Sequence, residues 1–248
     1  MYTKEELMSH IFFDIETKPQ DYAVLNPELK RVWLEKYYVK SLEKEMQFLR
    51  KQSFLESNEF EELNNKAIKS FDSLSEEKIF NKYAPLYPEF GEVLCICIGV
   101  FNEEMKPEIE NVLGETEIDL LKNFFTLIST NKTLKLAGYN IKNFDIPFLI
   151  RRSYILNQPL PSILRLRGKK PWEMAFLDLA EDYKGSMFEM VSLDLVTSAL
   201  GVPSPKDEFQ NYEVSTLFME GKVTRKDVIR YCCKDVKANM LACVKLLY

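Results

Sequence analysis

Asp14 and Glu16 stand two residues apart inside an apolar run, Ile11-Phe12-Phe13-Asp14-Ile15-Glu16-Thr17. In an extended strand, positions i and i+2 point to the same face, so both carboxylates leave one side of a sheet together. Two like charges side by side in a poorly hydrated place repel, and a hard divalent cation with oxygen ligands is the usual relief. An edge strand carrying two solvated acids has the same spacing. Two other stretches carry groups of similar chemistry. Asp145 heads the apolar run Ile146-Pro147-Phe148-Leu149-Ile150, where an aspartate serves either as a ligand or as a cap favoured by the helix dipole. Tyr231 and Asp235 are i and i+4 in the last helical segment, on one strip of its surface. A Tyr–Asp pair on a plain polar face has that pattern too.

Composition narrows the chemistry. One histidine, His10, in 248 residues argues against histidine-built zinc sites and against Ser–His or Cys–His triads. The five cysteines form no CxxC pair and no metal-ligand spacing. Their odd number within apolar patterns reads as free thiols of a reducing cytoplasm. A net charge of -5 gives no general attraction for nucleic acid, so a polyanion must be held locally by metals and a few basic groups. Arg151, Arg152, Arg165, Arg167, Lys169 and Lys170 are the one basic concentration, suited to phosphate contact or to a solvated face. No run has the ~18 apolar residues of a membrane span, and the opening Met-Tyr-Thr-Lys-Glu-Glu has no signal-peptide character. The expected location is cytoplasmic.

The elements that position these residues follow from periodicity. Residues 11–15 have the composition of a buried central strand. Asn26 to Phe71 reads as helical, with Leu29, Trp33, Leu34, Tyr37, Tyr38 and Leu42 recurring at three and four, and Asn26-Pro27 as its start. This charged segment, about residues 19–90, is expected to be a helical insertion within a single domain of residues 1–248. Its aromatic residues suit core or partner packing better than guiding a nucleic acid strand. Glu92–Phe101 and Met105–Glu110 form a hairpin across Asn102-Glu103-Glu104. Glu115–Ser129 is an amphipathic helix, Thr133–Tyr139 the fourth strand and Ala175–Leu179 a short fifth, ending at Asp178. Helices are expected from Ser192 to Leu200, over Tyr212–Met219, and from Thr224 to the end.

In this order the stretches resemble the DEDDy group of 3′→5′ exonucleases. Phe13-Asp14-Ile15-Glu16-Thr17 is similar to their first motif. Asn140-Ile141-Lys142-Asn143-Phe144-Asp145 resembles the second motif of family B DNA polymerase proofreading domains. Tyr231-Cys232-Cys233-Lys234-Asp235 resembles the YxxxD third motif. Pro88-Glu89-Phe90-Gly91 and Pro203-Ser204-Pro205-Lys206 resemble bacterial stand-alone exonucleases related to those domains. Arg230 stands where the sister DEDDh group needs a histidine, so the tyrosine variant is the one supported.

The resemblance implies an α/β, RNase H-like fold: a five-stranded mixed sheet flanked by helices, with a helical insertion between the first and second strands. It implies two divalent cations, Mg²⁺ or Mn²⁺, ~4 Å apart, held by Asp14, Glu16, Asp145 and Asp235, with Asp14 between them. Tyr231 is implied to position the attacking water, and Thr17, Asn140 and Phe144 to touch the terminal nucleotide. The expected substrate is nucleic acid with a free 3′ end, single-stranded DNA ahead of RNA, and the insertion is the candidate surface for a protein partner. The chain starts just before the first motif and ends inside the last helix, so no attached polymerase palm is expected. Two alternatives remain: a catalytically silent binding module on the same fold, and an RNA 3′-trimming exoribonuclease. Asp178 competes for a ligand role without a motif match.

Overall fold

The computed structural model describes residues 2–56, 75–130, 133, 135–170, 173–174, 176–185, 191–204 and 213–247. They divide into two compact units, Met1–Thr17 with Val93–Tyr248, and Lys18–Glu92. In chain order the elements are α1 (Lys4–Met8), β1 (His10–Pro19), α2 (Pro27–Val32), a π-helical turn (Trp33–Tyr38), α3 (Val39–Glu56) and α4 (Glu76–Tyr83). They continue with β2 (Gly91–Phe101), β3 (Pro107–Asn111), α5 (Glu117–Thr130), β4 (Lys135–Gly138), α6 (Asp145–Ile155) and β5 (Phe176–Asp178). Last come α7 (Leu179–Lys184), α8 (Leu193–Ala199), α9 (Glu213–Met219) and α10 (Arg225–Leu247).

The strands form one mixed sheet in the order β3-β2-β1-β4-β5, the α/β, RNase H-like arrangement. β1 is central. It runs parallel to β4 with Ile11 opposite Leu136 and Phe12 opposite Ala137, while β2 and β3 form an antiparallel hairpin and β4 and β5 run parallel. The alternation of β1 divides its side chains between two cores. Ile11, Phe13 and Ile15 pack among Leu121, Phe124, Phe148 and Leu149, from α5 and α6. Phe12 packs on the other face among Leu94, Cys97, Cys232, Val236 and Met240, from β2 and α10. Asp14 and Glu16 share the period of Phe12, so the sheet aims them toward α10.

Gly138, at the end of β4, is fixed by proximity. A Cβ there would stand 2.2 Å from Ile141 Cγ2 and 2.8 Å from the Phe13 carbonyl oxygen. Only glycine lets β4 turn this close beside the strand of Asp14. Two elements were not anticipated from periodicity. α1 is too short to show a stripe, though Thr3 and Glu6 spell its capping box, with Glu6 N–H on Thr3 Oγ1 and Thr3 N–H on Glu6 Oε2. α7 follows β5 without a loop, because Asp178 ends the strand and caps the helix by accepting from Ala180 N–H.

The Lys18–Glu92 unit has its own aromatic core. Trp33, Phe80 and Phe90 are buried, with Tyr22, Tyr37 and Tyr87 around them, and the Trp33 ring meets Phe80 and Phe90 edge-on at 4.9 and 5.2 Å. The indole and tyrosine rings of the sequence stripe are thus packing groups. Of the long helix expected over Asn26–Phe71, Pro27–Glu56 is helical, and residues 57–74 lie outside the described residues.

Candidate active site

Carboxylate oxygens of Asp14, Glu16 and Asp235 lie within 4.8 Å of one another. Asp14 and Glu16 come from the α10-facing side of β1. Asp235 comes from α10, whose stripe of Val228, Cys232, Val236 and Cys243 is buried on the sheet. Asp145 reaches β1 from the opposite direction, at the first turn of α6. It does not cap that helix: Phe144 is the N-cap residue and makes no side-chain cap bond. Instead Asp145 Oδ1 accepts the backbone N–H of Ile15 at 3.1 Å, between the two acids of β1. The second motif is therefore tied to the first by a hydrogen bond across 130 positions of sequence.

The electrostatics follow from four acids gathered at one place, Asp145 buried and Asp14, Glu16 and Asp235 half-buried. Burial, then Asp145 and Asp235, holds the Asp14 carboxyl well above the usual carboxylate range. Burial and then Asp14 do the same to Glu16. Asp145 is pushed up to about 7, mainly by burial, with the hydrogen bond from Ile15 opposing. Tyr231 is 3 % exposed. Burial first, then Asp235, Glu16 and Asp14, push its phenol above the ordinary tyrosine value, so it stays protonated, able to donate a hydrogen bond and unsuited to act as a base. A hard cation suits this donor set. Held among oxygens that lie within 4.8 Å of one another, such an ion would cancel the repulsion that raises the acids.

Of the other sequence-derived site residues, Thr17 follows Glu16 on β1 and is 7 % exposed. Asn140 takes a left-handed conformation with φ 59°, which asparagine tolerates better than most residues. Its Oδ1 accepts from Asn143 Nδ2 at 2.9 Å. Phe144 is half-buried, its ring 5.6 Å from that of Phe148.

Asp178 supports the site from one side. Its Oδ1 accepts the N–H of Asn140 at 2.7 Å and of Ala180 at 3.2 Å, and its Oδ2 accepts the N–H of Lys142 at 2.9 Å. With both oxygens taken by backbone, it clamps the turn that presents Asn140 and leads to Asp145. Arg152 departs from its reading as part of a basic surface. It is 3 % exposed and forks onto Glu117, Nε to Oε1 at 2.8 Å and Nη2 to Oε2 at 2.6 Å. Glu117 Oε1 also accepts the Val93 N–H at 2.8 Å, so this pair joins α6, α5 and the start of β2. The signal was there: Arg152 follows Phe148 and Leu149 by four and three positions, on the helix's buried stripe.

The family described as DNA polymerase family B, exonuclease domain, matches residues 3–199. The DNA polymerase catalytic subunit of Equine herpesvirus 2 is 28% identical over 144 residues, covering 48% of this chain and 14% of the viral protein. That of Saimiriine herpesvirus 2 is 29% identical over 143 residues, with the same coverages. The chain thus spans about a seventh of the length of these curated relatives. Among solved structures, the family B DNA polymerase of the archaeon Pyrobaculum calidifontis aligns with a TM-score of 0.49 at 20% identity, covering 63% of this chain and 22% of the polymerase. No helix among the described residues is long and apolar enough to cross a membrane.

Proposed function

The chain belongs to the DNA polymerase family B exonuclease domain family, and on that premise we propose that it is a 3′→5′ exonuclease that shortens single-stranded DNA and releases nucleoside 5′-monophosphates. The observation that carries the reading is the convergence of Asp14, Glu16 and Asp235 within 4.8 Å, with Asp145 bonded to the strand between the first two. A silent binding module has no use for a half-buried, mutually repelling set of acids, which costs stability without a cation.

Two divalent cations, Mg²⁺ or Mn²⁺, supply when bound a nucleophilic water at neutral pH and charge stabilisation at the attacking and leaving oxygens. Asp14, Glu16 and Asp235 would hold one ion, and Asp14 with Asp145 the other. Tyr231, protonated in its buried setting, orients the attacking water by a hydrogen bond rather than acting as the base. Thr17, Asn140 and Phe144, which flank the acids in sequence, meet the terminal nucleotide, and stacking by Phe144 would be tolerant of base identity. Residues 1–248 act as one exonuclease domain, with the Lys18–Glu92 unit as its helical insertion and protein-partner surface.

The test is a 5′-labelled single-stranded DNA oligonucleotide in Mg²⁺ or Mn²⁺, beside a circular single strand and an RNA of the same sequence. The reading requires a ladder shortened from the 3′ end, mononucleotide 5′-phosphates, and an intact circle. Cleavage of the circle at the linear rate would refute it, and faster loss of the RNA would replace the substrate.

A further inference from the structure

Four of the five cysteines, which have no recognisable spacing in sequence, meet where α10 lies on β2. The Sγ atoms of Cys95, Cys97 and Cys232 lie within 4.8 Å of one another. Cys233 Sγ stands 3.1 Å from Cys97 Sγ. Cys95 and Cys97 are i and i+2 on β2, on one face of the strand, and Cys232 and Cys233 are successive residues of α10. We propose that Cys95, Cys97, Cys232 and Cys233 form a second metal site, selective for a thiophilic d¹⁰ cation such as Zn²⁺ and chemically distinct from the carboxylate centre.

The geometry is near what such an ion requires. Zn–S bonds of ~2.3 Å in a tetrahedron put the sulfurs about 3.8 Å apart. Three of the sulfurs already lie within 4.8 Å of one another, and Cys233, 3.1 Å from Cys97, must rotate toward the other two to complete the tetrahedron. The surroundings favour it too. Cys95, Cys97 and Cys232 are at most 1 % exposed, while Cys233 is half-buried and gives the ion a way in. Hard Mg²⁺ prefers oxygen and a soft or borderline ion prefers thiolate, so the two centres sort their metals by ligand type. Loading exchanges the thiol protons for one cation and involves no oxidation: each S–H is lost to solvent as its S–Zn bond forms. The site lies directly behind the acids, because Cys232 Sγ is 3.4 Å from both the carbonyl oxygen and Oδ2 of Asp14. The bland account of the same cluster is four small apolar side chains filling a helix–sheet interface.

The two accounts separate under Co²⁺, used as the probe on reduced, metal-free full-length chain in saturating Mg²⁺. One Co²⁺ per chain with a strong thiolate-to-cobalt charge-transfer band, displaced by one equivalent of Zn²⁺, is the expected result. The band should persist in Cys243→Ala, whose thiol is buried elsewhere on α10, and in Asp235→Asn. It should vanish in Cys97→Ala and weaken in Cys233→Ser, a half-buried position where the fold has room for the change. Absence of the band in wild type overturns the site whatever the folding of Cys97→Ala, and so does an unchanged band in Cys233→Ser. None of these readouts uses nuclease activity, so the site stands or falls independently of the proposed reaction.

Discussion

Asp145 Oδ1 accepts the N–H of Ile15 at 3.1 Å, so the acid of α6 is bonded to the backbone between Asp14 and Glu16. That bond sets the register of two motifs far apart in sequence, and it buries a carboxyl that burial has pushed up to about 7. A carboxyl higher in the folded chain than its unfolded ~3.9 binds more protons folded than unfolded across that interval. Its contribution to stability is therefore complete below about pH 4 and is lost as pH rises towards about 7. Metal-free protein should lose melting temperature over that range, and Asp145→Asn, which keeps an oxygen for Ile15, should lose less. Denaturation followed at several pH values in EDTA checks this, and equal slopes for the two proteins would remove Asp145 from the coupled set.

Replacing Tyr231 by Phe deletes only the phenol oxygen from a 3 % exposed ring. The hydrolysis rate should fall by roughly 10²-fold or more, the size of a general acid–base or water-positioning effect. The metal-dependent change in melting temperature should stay. Single-turnover rates beside melts with and without Mn²⁺ separate the two, and an unaltered rate would place Tyr231 outside the reaction.

Asp178→Ala should loosen the Asn140–Lys142 turn, because the N–H groups of Asn140, Lys142 and Ala180 lose their acceptor. Each buried donor left unmade costs roughly 1–3 kcal/mol, partly offset by no longer burying the carboxyl, which burial raises. The melt should drop, and KM for an oligonucleotide should rise more than kcat falls, because Asp178 holds the turn of Asn140, the residue proposed to meet the terminal nucleotide. A change in kcat alone, with metal affinity lost, would instead make Asp178 a ligand.

Arg152→Met leaves Glu117 buried with its counter-ion gone. Removing one partner of a buried pair costs on the order of 3–5 kcal/mol, and each kcal/mol moves the melting temperature by about 2–4 °C in a chain this size. The double variant Arg152→Met with Glu117→Leu should recover part of the loss. A single variant as stable as wild type would show the pair to be dispensable.

What the sequence disclosed and what it withheld divide along a physical line. Strand alternation placed Asp14 and Glu16 on one face, and the fourfold helical spacing stacked Tyr231 over Asp235, because local periodicity carries that information. Asp178 was legible only as a strand end. Its partners Asn140 and Lys142 come from the loop after β4, and only the parallel pairing of β4 with β5 brings them together. The sulfur cluster was unreadable for the same reason: Cys95 and Cys232 are neighbours through the packing of α10 on β2, not through spacing. Arg152 was misjudged as surface because its charge outweighed its place on the apolar stripe of α6.

The most direct test of the acid cluster needs no substrate. Without metal, Asp14, Glu16, Asp145 and Asp235 repel; a divalent ion that binds only the folded chain relieves this and adds about 2.7 kcal/mol at a hundredfold excess over its dissociation constant. Wild type and Asp14→Asn are melted in EDTA and in Mn²⁺. Wild type should rise by several degrees with Mn²⁺, while Asp14→Asn should melt higher than wild type in EDTA and respond little to the ion. No rise in wild type, or an equal rise in Asp14→Asn, would mean that these carboxylates do not form one metal site.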